Sequence, residues 1–215
     1  MLTTILFDLD GTLVDTAPDL GYALNLQLHK HGKPTLSDAS IRPFASHGSR
    51  GLLGLGFGIT PEDSNFIQMR DEYLQFYEGV LTRRPALFDG MQNTLDAILN
   101  RGLNWGIVTN KPGRFTMPLV EYLGLNQEAV CVVSGDDAAK PKPSPDTLLL
   151  ACKRAKVNPE NCIYVGDAAR DIEAGQAAGM KTVVAMYGYI DKQDQPLTWG
   201  ADEYIAAPTD LIALI

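Results

Sequence analysis

With 215 residues the chain has the size of one medium domain, or of a core carrying a smaller insert, and enough length to bury a stable interior. Hydrophobic residues at 45% and charged residues at 20% are those of an ordinary globular protein, and no apolar run approaches a membrane span. A net charge of −8 argues against a nucleic-acid surface, so an anionic ligand must be held by a local cluster of donors or by a metal.

The chain opens on Thr4-Ile5-Leu6-Phe7, a short apolar run that reads as a buried strand, followed by Asp8-Leu9-Asp10-Gly11-Thr12, where glycine marks a sharp turn. Two carboxylates two residues apart therefore sit at the mouth of a sheet, where α/β folds build their sites. Close carboxylates repel unless a cation or a shared proton relieves them. The pair points to an enzyme that needs a nucleophile, a proton carrier and a metal. The first strand begins almost at Met1 with no basic or cleavable leader, which leads to the expectation of a soluble cytoplasmic protein.

Thr16-Ala17-Pro18-Asp19 has the form of a capping box with proline in the first turn, and it starts a helix expected to run through Leu20, Leu24 and Leu28 to Gly32. Helical patterns follow at Ser37–Phe44, Ser49–Leu55 and Pro61–Leu81. Residues 16–82 thus read as an inserted helical cap, with 1–15 and 83–215 forming an α/β core. In the cap segment Ser46-His47-Gly48-Ser49-Arg50, His47 and Arg50 suit the selection of a substrate by a group closing over the site; a solvated loop is the alternative. Asp15 is expected to order the entry to the cap. His29 and His31 read as surface residues, and Phe76, Tyr77, Phe88 and Trp105 as core.

From Leu103 onward strand and helix alternate. Strands are expected at Asn104–Thr109, Ala129–Val133, Asn161–Val165, Lys181–Ala185 and near Asp202–Ile205. Helices are expected at Gly113–Gly124, at Ser144–Lys156 with Ser144 and Pro145 as N-cap and first residue, and at Ala169–Gly179. This alternation indicates a doubly wound parallel sheet. Cys131, Cys152 and Cys162 show no metal-ligand spacing and read as buried reduced thiols.

Polar residues gather at the predicted strand ends. Thr109-Asn110-Lys111 offers a hydroxyl, an amide and an ammonium; Lys140-Pro141-Lys142-Pro143-Ser144-Pro145 is a stiff extended loop presenting a cation; Gly166-Asp167-Ala168-Ala169-Arg170-Asp171 adds two carboxylates four residues apart. Together they read as a metal-assisted phosphoryl-transfer site. Asp8 and Asp167 would ligate Mg²⁺, and Asp8 would attack phosphorus to form an aspartyl-phosphate. Asp10 would carry the proton, while Thr109 and Lys140 would hold the phosphate oxygens.

The ordered set Asp8-x-Asp10-Gly11-Thr12, Thr109-Asn110, Lys140-Pro141 and Gly166-Asp167-x-x-x-Asp171 resembles the haloacid dehalogenase superfamily of phosphohydrolases, over essentially the whole chain. The resemblance implies a Rossmann-like core, Asp8 as nucleophile, Asp10 as acid and base, and Mg²⁺ held by Asp8, the Asp10 carbonyl and Asp167, with Asp171 supporting the metal site. It places the working lysine directly before the first proline, hence Lys140 rather than Lys142. Asn110 reads equally as a substrate contact or as a turn residue. Tyr187-Gly188-Tyr189-Ile190, Trp199-Gly200-Ala201-Asp202 and Ser46–Arg50 are similar to the phosphoglycolate phosphatase group and to its subgroup acting on N-acetylmuramic acid 6-phosphate. A small phosphorylated metabolite is the implied partner, with neither nucleic acid nor membrane, in a monomer or homodimer. A sugar phosphomutase uses the same core motifs and stays open. Carbon–halogen cleavage needs neither the metal nor a second carboxylate such as Asp10, and a receiver module needs no cap.

Overall fold

The computed structural model describes all 215 residues. The first strand, β1 (Thr4–Phe7), is buried from end to end because both of its faces are covered. It pairs in parallel with β4 (Asn104–Val108) on one side and β6 (Cys162–Gly166) on the other. With β5 (Val132–Val133), β7 (Lys181–Ala185) and β8 (Glu203–Ile205) they form a six-stranded parallel sheet in the order β5-β4-β1-β6-β7-β8. Chain order thus reverses around β1, which puts Asp8 at the crevice where such sheets bind ligands. The fold is the α/β architecture expected from the sequence.

Alternate residues of the strands point to opposite layers. Ile5, Phe7, Trp105 and Ile107 join α5 (Met91–Asn100) and α6 (Gly113–Tyr122) through Met91, Leu95, Ile98, Phe115 and Leu119. Leu6, Val108 and Tyr164 face α7 (Asp146–Ala155) and α8 (Ala169–Ala178) through Leu148, Ala151 and Ala174. No element is predicted where α5 lies, although its apolar residues at Met91, Leu95 and Ile98 carry a helical period.

Between β1 and the rest of the sheet stand α1 (Ala17–Lys30), α2 (Asp38–Ile41), a 3-10 segment (Arg42–His47), α3 (Gly48–Phe57) and α4 (Phe66–Glu78). Their apolar faces, including Leu20, Leu24, Leu52, Leu53 and Tyr73, run continuously into the larger sheet-side core. Both ends of this helical stretch are tied together by a ribbon absent from the sequence reading: β2 (Val14–Asp15) pairs antiparallel with β3 (Ala86–Leu87). The buried Asp19 carboxylate adds a second tie by accepting the Arg84 backbone N–H at 2.9 Å.

Four local expectations are corrected. The capping box at Thr16 does not form: Thr16 is the N-cap residue, but its hydroxyl donates to Asp10 Oδ1 at 2.5 Å rather than serving the helix. Ser144 and Pro145 do not open α7 as expected; the N-cap position falls on Pro145, and the Ser144 hydroxyl donates to Asp146. Regular strand at β5 is limited to two residues, although Val130 N–H already bonds the Trp105 carbonyl at 2.8 Å. The helix expected from Pro61 starts only at Phe66, after turns. No helix is long and apolar enough to cross a membrane.

The helical layer has its own polar clamp. Glu72 of α4 bonds Lys30 at 2.5 Å, His31 at 2.7 Å and Gln27 at 2.9 Å, all at the C-terminal end of α1. Burial raises the Glu72 carboxyl, but the hydrogen bonds from Lys30, His31 and Gln27 outweigh it and hold the group at about 2. Folding therefore favours the ionised form, and the stability this adds is complete above the ordinary glutamate value and is lost as pH falls towards 2. Glu72→Gln should cost about 0.5–1 kcal/mol at pH 7, since solvent screens the pair. The gap between urea midpoints of variant and wild type should shrink steadily below pH 4.5.

Candidate active site

Asp8 is fixed by its position one residue beyond β1, its N–H donating to the Val165 carbonyl at 2.9 Å. Its Oδ1 accepts from Lys142 Nζ at 2.9 Å. That ammonium is fully buried and also lies 2.8 Å from Asp171 Oδ1, 3.0 Å from the Val108 carbonyl and 2.6 Å from the Tyr164 hydroxyl. Burial disfavours its charge, but Asp171 and Asp8 outweigh that penalty and hold it above the ordinary lysine range. The Asp8 carboxyl is pushed up by burial, against the pull of Lys142.

The lysine that meets Asp8 is therefore Lys142, and Lys140 is exposed. Asn110 is the reason. Its Nδ2 donates to the Lys142 carbonyl at 2.8 Å and its Oδ1 accepts the Lys142 N–H at 2.9 Å, which locks that residue's backbone against the end of β4. Asn110 also lines the cleft, with one amide hydrogen and its oxygen bonded to the loop.

Asp167 follows β6 and is buried; Tyr189 N–H donates to its Oδ2 at 2.8 Å, and the Thr12 hydroxyl reaches its Oδ1 at 3.4 Å. Burial, then the charges of Asp8 and Asp171, push its carboxyl up to about 8. Two glycines allow the carboxylate to sit this deep. A Cβ at Gly11, whose φ is +88°, would stand 2.2 Å from Asp167 Oδ2, and one at Gly188 would stand 2.3 Å from Asp167 Cβ. Asp171 accepts the Ala168 N–H at 3.0 Å through Oδ2, so its two oxygens serve the start of α8 and Lys142.

Asp8, Asp167 and Asp171 each offer a carboxylate oxygen, all within 4.8 Å of one another. Lys142 is buried among them and Arg170 nearby, so three carboxyl groups face two cations, and a divalent ion would relieve the crowding that holds Asp167 at about 8. Hard oxygen donors with residual negative charge fit a divalent cation. Asp10 stands apart from this trio, its carboxylate engaged by the Thr16 hydroxyl and, at 2.9 Å, by Lys111 Nζ.

Above these strand ends a cleft of about 980 Å³ opens between the sheet and the helical layer. Asp8, Asp10, Thr109 and Lys111 line its floor, and His47, Arg50, Arg70 and Tyr73 line its walls. Thr109 is buried, its hydroxyl accepting the Lys111 N–H at 3.1 Å. His47 and Arg50 are exposed at the cleft, without a hydrogen bond to the floor.

Four residues with no assigned role also belong here. Arg170, inside the Gly166–Asp171 motif, donates to the Ser46 carbonyl at 2.8 Å and hydroxyl at 3.0 Å, linking the sheet to the helical layer. Lys111 directly follows Thr109-Asn110. Tyr77 packs in the core as expected, but its hydroxyl accepts from Lys111 at 2.9 Å. The Tyr189 hydroxyl accepts the Thr16 and Ala17 N–H groups at 2.7 and 2.9 Å and donates to Asp15 Oδ1, which Arg42 also grips. Arg170 and Lys111 had a signal, their place inside motifs; nothing local marks Tyr77.

Fold and site define an α/β protein whose buried acidic centre lies beneath a helical cover. The family model for haloacid dehalogenase-like hydrolases matches residues 5–185. The chain is 39% identical to an N-acetylmuramic acid 6-phosphate phosphatase of Pseudomonas putida, over 100% of this chain and 96% of that one. It is 40% identical to a phosphoglycolate phosphatase of Xanthomonas campestris, over 96% and 93% respectively. The structure of a haloacid dehalogenase-like family hydrolase of Streptococcus pneumoniae matches with a TM-score of 0.84 at 21% identity, over 99% and 98% of the chains, and shares the fold. The chain belongs to the haloacid dehalogenase-like hydrolases, and within them it is a phosphomonoester hydrolase.

The two lysines of the proline-rich loop separate cleanly by substitution. Lys142→Ala should abolish turnover and lower stability by about 3–5 kcal/mol, because it strands two buried carboxylates. Lys140→Ala should leave both turnover and melting temperature close to wild type, as measured by phosphate release and thermal unfolding.

Proposed function

We propose that the chain hydrolyses a sugar-sized phosphomonoester through a phosphoaspartate on Asp8, with N-acetylmuramic acid 6-phosphate as the substrate best supported. The observation that carries this reading is the cleft of about 980 Å³ directly over Asp8. Its volume is at the upper end of the roughly 300–1,000 Å³ of small-molecule pockets. The Pseudomonas putida relative named for that substrate matches over the whole chain. Phosphoglycolate is the second reading, favoured by the Xanthomonas campestris relative at similar identity. Residues 16–82 act as the cap, with His47 and Arg50 facing the distal part of the substrate, and the reaction takes place in the cytoplasm.

Asp8 attacks phosphorus with a carboxylate oxygen as the ester P–O bond breaks, and Asp10 gives its proton to the leaving alcohol. Asp10 then takes a proton from water, whose oxygen displaces Asp8 from phosphorus and releases phosphate. Lys142 and the Thr109 hydroxyl stabilise the negative charge around Asp8 throughout. Asp8, the Asp10 carbonyl and Asp167 would hold Mg²⁺, with Asp171 behind them; when bound, the ion supplies neutralisation of phosphoryl charge.

A panel containing N-acetylmuramic acid 6-phosphate, phosphoglycolate and simple sugar phosphates tests the reading. Phosphate release should be Mg²⁺-dependent, fastest with the first compound, and reduced by a factor on the order of 10³ or more in Asp8→Asn. A phosphorylated isomer appearing without free phosphate would mean a mutase instead. Independently of activity, Mg²⁺ should raise the melting temperature of the wild type, and Asp167→Asn should remove that shift.

A further inference from the structure

We propose that Lys111, held by Tyr77 of the cap, is a positioning residue for Asp10, and that it makes protonation of the leaving group depend on helix α4. The inference rests on Asp10 being the proton carrier of the reaction just described. Lys111 Nζ lies 2.9 Å from Asp10 Oδ1 and 2.9 Å from the Tyr77 hydroxyl. The lysine side chain is only 7% exposed, so the pair is no solvated surface contact.

Both donors to Asp10 end on the same oxygen. The Thr16 hydroxyl and Lys111 Nζ each meet Oδ1, while Oδ2 takes no hydrogen bond from the protein. Asp10 itself lines the cleft. A planar carboxylate held twice through one oxygen presents the other, and Oδ2 is thereby selected to exchange the proton. The geometry matters because proton transfer requires hydrogen-bond reach at the reacting atom.

Lys111 has little freedom to provide this by chance. Its N–H donates to Thr109 Oγ1 at 3.1 Å, and its carbonyl accepts the Gly135 N–H at 3.0 Å and the Thr116 hydroxyl at 3.0 Å. The backbone is thus fixed to the sheet, and the far end of the side chain is set by Tyr77. That tyrosine is 2% exposed, and its ring packs against Phe115 of α6 at 5.5 Å between centroids. Tyr77 is the one link in the chain Asp10–Lys111–Tyr77 that comes from the cap, so a displacement of α4 moves the donor that aims Asp10.

Leaving-group dependence separates this role from general structural support. An alkyl phosphate needs its leaving oxygen protonated, whereas 4-nitrophenyl phosphate expels a stable phenolate and gains little from an acid. The experiment compares kcat/KM, which covers only the steps up to departure of the leaving group, on the best sugar phosphate and on 4-nitrophenyl phosphate for wild type, Lys111→Met, Lys111→Arg, Tyr77→Phe and Asp10→Asn. Lys111→Met should lose about 10²-fold on the sugar phosphate and roughly tenfold less on the aryl ester. Lys111→Arg, which keeps a cationic donor, should recover part of the difference. Tyr77→Phe keeps the buried ring, removes only the hydroxyl, and should show the same skew more weakly. Equal losses on both esters, or no loss on the sugar phosphate, overturn the positioning role while Asp10→Asn still shows the skew. If Asp10→Asn shows none, or the wild type releases no phosphate, the hydrolytic reading fails and this inference with it.

Discussion

The buried ammonium of Lys142 lies 2.9 Å from Asp8 and 2.8 Å from Asp171, and the active end of the sheet is arranged around it. Three carboxylates crowded at neighbouring strand ends would each be driven towards the neutral form by burial and by one another. Asp167, which has no cation in direct contact, shows the effect, its carboxyl standing at about 8. Removing a lysine from water carries its own cost, and the protein offsets it with the Val108 carbonyl and the Tyr164 hydroxyl as further partners. The contact keeps Asp8 in place and holds a fixed positive charge against its carboxylate.

The helical layer and the sheet meet at the site through a few polar links rather than through apolar packing alone. Arg170 reaches Ser46, Lys111 reaches Tyr77, and Tyr189 spans from Asp167 to the entry of α1. Arg42 closes a second route, gripping Asp15 with one guanidinium nitrogen while lying over the Tyr189 ring at 5.0 Å. Arg170 and Lys111 each start from a motif at the acidic centre and end on the helical layer. Such links are short and directional, and the one through Tyr77 starts from a ring that is itself part of the hydrophobic core.

Local rules give way at the same places. Thr16 has the right residue type for a capping box, yet its hydroxyl goes to Asp10. Asn110 has the right chemistry for substrate, yet its amide holds the Lys142 backbone. In both cases a tertiary partner competes with a local one and wins. The start of α1 is buried and its Thr16 and Ala17 N–H groups are taken by the Tyr189 hydroxyl, which leaves the Thr16 hydroxyl to Asp10. The Asn110 amide matches both backbone groups of Lys142 at once.

Several parts of this protein were legible in the sequence because they depend on neighbours along the chain. The apolar run before Asp8, the alternation of strand and helix after Leu103, and the carboxylates placed at strand ends all follow from local periodicity and turn chemistry. That was enough for the sheet, for its position relative to Asp8 and for the place of Asp167 just beyond β6. The choice of Lys142 over Lys140, the spending of Asn110 on a loop and the arrival of Tyr77 at Lys111 were decided only by the tertiary structure. Two lysines two residues apart carry the same local signal, and Tyr77 stands 34 positions from the lysine it meets. Which of them reaches the centre is set by how loops and helices from distant parts of the chain are anchored around it, and no pattern within a single segment encodes that.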